Sequence, residues 1–109
     1  MIISTTSQIE GKHIKEYRGV VFGEVVSGID FVRDFTAGIT NFAGGRSSEY
    51  EEEINRARAD VIREMMEKAK KIGANALVGV KVDIETITMS DNRGSMIIVN
   101  TVGTAVVVD

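Results

Sequence analysis

The stretch SSEYEEEINRARADVIREMMEKAKKIGANALVGVKVD, from Ser47 to Asp83, constrains this chain more than any other, because it spells an amphipathic helix, its stop and the strand that follows. Tyr50, Ile54, Ala57, Val61, Met65, Ala69 and Ile72 recur at steps of three and four and gather on one stripe. Glu53, Arg56, Asp60, Arg63, Glu67 and Lys71 fall opposite, which leaves one face for a core and one for water. The pattern predicts a helix from about Ser48 to Ile72. Ser48 and Glu51 have the spacing of a capping box, and Glu49, Glu52 and Glu53 set negative charge against the positive end of the helix dipole. Lys68, Lys70 and Lys71 crowd the last turn, and Gly73 can take the left-handed conformation that ends it. Glu52 with Arg56, Glu64 with Lys68 and Glu67 with Lys71 have the favourable acid-then-base spacing, each worth roughly 0.2–0.5 kcal/mol. Ile62 and Met66 widen the apolar stripe beyond what one sheet needs, so that flank is a candidate subunit contact.

The rest of the chain supplies partner surfaces. Met1 to Thr5 reads as a short strand and Thr6 to Lys12 as a polar connection. Ile14 to Val26 reads as a long strand, with Tyr17, Gly19, Val21, Gly23 and Val25 on one face and Val20, Phe22 and Val26 on the other. Two glycines in phase predict a close approach there, most simply by a helix. Ser27-Gly28 breaks the strand pattern, and Asp30 can cap a short helix carrying Phe31, Phe35, Ile39 and Phe42, with Ala43 to Ser48 as a loop. After the long helix, Ala76, Val78, Val80, Val82 and Ile84 alternate with Leu77, Gly79, Lys81, Asp83 and Glu85, which predicts a strand with its valines under the helix. The turn Ser90 to Gly94 then makes an antiparallel hairpin with Met96 to Val108. That last strand is apolar on both faces, so a neighbouring subunit is expected to cover one of them. The expected fold is α+β: a two-layer sandwich of an antiparallel sheet backed by one long helix.

Composition excludes several classes of function. The chain has 109 residues, the size of a single domain spanning 1–109. With 13 basic and 16 acidic side chains and no basic run, it lacks the electrostatic footprint of a nucleic-acid binder. It has no cysteine, which removes disulfides, zinc–thiolate sites and a thiol nucleophile. No run approaches the roughly 20 apolar residues that span a bilayer, and the first residues do not read as a signal peptide. The polar face of the long helix mixes acid and base, unlike a membrane-surface helix. The default expectation is a soluble cytoplasmic protein.

Two segments together carry a family resemblance: EYRGVVFGEVVSG, and DFTAGITNFAGGRSSEYEEEINRARADVIREMMEKAKKIGANALVGVKVD. The glycine spacing, the GGRSSEYE helix start and the GANALVGV strand entry occur in order, and they resemble the YbjQ-like family of small bacterial and archaeal proteins over nearly the whole chain. The resemblance implies a subunit fold akin to dodecin and assembly as a ring-shaped homopentamer. That family carries the label "putative heavy-metal-binding", but no catalytic residues can be carried over from it.

Soft metals want thiolate, thioether or imidazole, and the chain offers His13 with Met1, Met65, Met66, Met89 and Met96. One subunit is too ligand-poor for a closed site, so a heavy-metal centre would need ligands shared between subunits, with His13 its first candidate. Gly44-Gly45-Arg46-Ser47-Ser48 could point free amides at an anion, but the glutamates that follow already occupy that end and a plain helix cap is favoured. No nucleophile stands beside a base, and Asp30 with Asp34 lacks an acidic partner across a cleft, so no catalytic residue is assigned and an inter-subunit enzyme site ranks last. The remaining candidate is a small-molecule pocket between subunits, with Phe35, Ile39 and Phe42 as apolar wall, Asn41 and Arg46 as polar groups, and Gly44, Gly45 and Ser47 in the adjoining loop. No cofactor is expected, and the expected partners are copies of the same chain and a small molecule.

Overall fold

The computed structural model describes residues 1–30, 45–88 and 94–109. Its elements in chain order are β1 (Ile2–Ile3), β2 (Ile14–Asp30), α1 (Gly45–Lys71), β3 (Ala76–Thr88) and β4 (Gly94–Val108). The strands form one sheet in the order β1-β3-β4-β2. β4 pairs antiparallel with β2 and with β3, as the hairpin signal required. The sheet is nevertheless mixed rather than antiparallel, because β1 joins β3 in parallel, with Ile2 beside Ala76 and Ile3 beside Leu77.

α1 lies across one face, which we call the inner face. Ala57, Val61, Met65 and Ala69 are buried there against Val21, Leu77, Val80, Ile97, Val99 and Ala105. Tyr50 and Ile54 are partly covered, and Ile72 is exposed because the chain has already left the helix. Gly23 records how closely the helix approaches: a Cβ built there would lie 2.9 Å from Val61 Cγ2 and 3.1 Å from Met65 Cγ. The helix stop is a Schellman motif. Gly73 has φ +82°, its amide donates to Lys70 C=O at 3.0 Å, and the Ala74 amide donates to Ala69 C=O at 3.0 Å. The Asn75 side chain then extends the ladder, donating to Val108 C=O and accepting from Val108 N–H, each at 2.8 Å.

Several expectations fail for identifiable reasons. α1 begins at Gly45, so Ser48 lies inside its first turn instead of capping it, and the loop expected to reach Ser48 ends earlier. β2 continues through Ser27 and Gly28 to Asp30, because pairing with β4 as far as Asp30 beside Gly94 overrides the local break. Asp30 is therefore a strand residue, and the expected aromatic helix from Phe31 to Phe42 lies outside the described residues. Register shifts between Ile14 and Gly19 take Tyr17 off the core face, where it is 71% exposed, and Gly19 adopts φ +137° with nothing packed on it. In β3, Gly79 at φ +61° sits in a bulge between Val78 and Lys81. That extra residue puts Leu77 on the inner face with Val80, while Ala76 and Val78 turn to the outer face. Of the three acid–base pairs expected along the helix, Glu64–Lys68 forms at 3.1 Å, Arg56 pairs with Glu53 instead of Glu52, and Glu67–Lys71 is not among the ion pairs of the described residues, where Arg63–Asp60 forms unexpectedly. Ile62, expected on a free flank, packs on both inner clusters.

The outer face has two ends. At one, Ile9 and Ile14 of the same chain cover Ala76, Val78, Val106 and Val108, so the expected neighbour is not needed there. At the other, Val20, Phe22 and Val26 are 60%, 63% and 54% exposed beside half-buried Met96, Ile98 and Val102, with Ile87 also exposed.

Candidate functional site

Strand register brings together residues far apart in sequence. On the outer face, Glu24 stands opposite Asn100 and Asn100 opposite Asp83, forming a polar row across β2, β4 and β3. The adjacent row is Phe22, Val102 and Lys81. A groove of about 420 Å³ is lined by Phe22, Glu24, Asp83, Asn100 and Val102, with Gly23 and Thr101 between the rows and Glu64 and Lys68 at the β2 end. Thr101 is buried and its Oγ1 donates to Lys81 C=O at 2.8 Å and lies 3.0 Å from Met65 Sδ, so its hydroxyl fixes the wall rather than facing a ligand.

The β2 end of the groove is built by α1. β2 is an edge strand, so alternate backbone groups along it point away from β4. Lys68 Nζ donates to Phe22 C=O at 2.8 Å, and the Glu24 amide donates to Glu64 Oε2 at 3.4 Å. The two side chains also pair with each other, so Glu64 and Lys68 act as one neutral clamp on the edge. Glu24 and Asp83 have no ion-pair partner among the described residues.

The residues singled out from sequence lie elsewhere. Phe35, Ile39, Asn41, Phe42 and Gly44 fall outside the described residues. Gly45, Arg46 and Ser47 form the start of α1. His13 is exposed just before β2, where its carbonyl accepts the Asp109 amide at 3.2 Å. Among the described residues, no group of three or more His, Cys, Asp or Glu is placed to hold a metal ion. Also among the described residues, no helix is long and apolar enough to cross a membrane. Sequence reading missed the groove because Glu24, Asp83 and Asn100 each look like an ordinary wet strand position; only the register makes them neighbours.

The described residues define a class: a small α+β protein in which, among those residues, one helix lies across a four-stranded mixed sheet. The crystal structure of a protein of unknown function from Pediococcus pentosaceus ATCC 25745, assigned to the DUF74 family, superposes with a TM-score of 0.70. The alignment covers 100% of this chain and 98% of that one at 15% identity, a likeness of fold alone. Sequence relatives are nearer. A UPF0145 protein of Acetivibrio thermocellus is 53% identical over 109 residues, covering all of both chains, and one from Clostridium botulinum strain Alaska E43 is 55% identical over 106, covering 97% of each. The chain belongs to the YbjQ family, whose profile, described as "putative heavy-metal-binding", matches residues 1–109.

Proposed function

We propose that this YbjQ-family chain works as a non-catalytic homo-oligomer, a ring of five cytoplasmic subunits in its fullest form, that binds a small molecule. The observation that supports it is the open end of the outer face. Val20, Phe22, Val26 and Ile87 are exposed beside the half-buried Met96, Ile98 and Val102, apolar side chains on either side of the Glu24–Asn100–Asp83 row and of the kind subunit contacts cover. A second copy is the natural occupant, because the same sheet end on each subunit offers the same unmet burial. Light scattering of the untagged protein at micromolar concentration should give a multiple of the chain mass, five-fold for the ring. A monomer mass overturns the reading, whereas another multiple keeps the burial argument and removes the number five.

The family description favours a second reading, a heavy-metal centre with ligands shared between subunits. It fits these residues poorly: the chain has no thiolate and one imidazole, and His13 stands alone at the surface. Metal analysis of untagged protein should find no stoichiometric zinc, copper or nickel. One tightly held ion per subunit, lost in His13→Ala, would reverse the ranking.

A further inference from the structure

We draw no further inference here: the strongest candidate, the edge of β3 beyond Val80, where Val82 and Ile84 are exposed and no further strand pairs among the described residues, carries nothing, because nothing in the structure shows what covers it.

Discussion

Gly23 shows how one missing methyl sets the distance between the two layers. A Cβ there would stand 2.9 Å from Val61 Cγ2, 3.0 Å from Thr101 Cγ2 and 3.1 Å from Met65 Cγ, all inside the buried core. None of the three can move far, because Val61 and Met65 are fully buried and Thr101 is tied to Lys81 C=O. Gly23→Ala should therefore lower the unfolding free energy by about 1–3 kcal/mol, the usual cost of overpacking. Urea denaturation at fixed protein concentration measures it. In a Val61→Ala background the nearest contact is gone, so the added penalty should shrink. A neutral Gly23→Ala, or an equal cost in both backgrounds, would remove the close-approach argument. Gly19 is the contrast: it has open space around it, and its glycine is required by backbone conformation alone.

α1 does more to β2 than pack on its inner face. Three polar contacts run along the strand: Ser27 with Glu53, the Glu24 amide with Glu64, and Phe22 C=O with Lys68. The last two occupy backbone edge groups that would otherwise be open to a further strand, while the first ties the Ser27 hydroxyl to the helix. Glu64→Ala should make the Glu24 amide exchange with solvent several-fold faster, the scale of a hydrogen bond worth about 0.5–1.5 kcal/mol. The Val25 amide, which faces β4, should be little changed. Equal rates at Glu24 in both proteins would mean that the clamp does not hold the edge. Much of this element-level picture was legible in the sequence: the helix stripe, its glycine stop, the β3–β4 hairpin and the close approach at Gly23 all follow from local periodicity. What was hidden depends on long-range pairing. Nothing near Ile2 announces a parallel partner, the Ser27-Gly28 break yields only because β4 lies alongside, and the bulge at Gly79 appears only once register is known. The groove was hidden for the same reason, since its carboxylates are separated by most of the chain.

The whole molecule treats its two sheet faces unequally. The inner face is covered by α1 along Ala57 to Ala69, with Val82 and Ile84 of β3 left exposed beyond it, while the outer face is closed by Ile9 and Ile14 at one end and open at the other. The assembly proposal places the subunit contact at that open end, so Val26→Asp should lower the light-scattering mass while leaving the circular dichroism of the fold intact. Val26 is more than half exposed, so the substitution leaves the buried core untouched. An unchanged mass would move the contact elsewhere. Gly79 ties the two faces together. A strand assigns side chains to faces by odd and even count, and the bulge is where β3 resets that parity, so that Leu77 and Val80 share the helix while Ala76 and Val78 share the amino-terminal cover. Removing one residue elsewhere in β3 would exchange inside and outside for a run of side chains, whereas length changes of two would preserve the count. In this fold the spelling of β3 is therefore readable only modulo two, with Gly79 as the position where counting starts again.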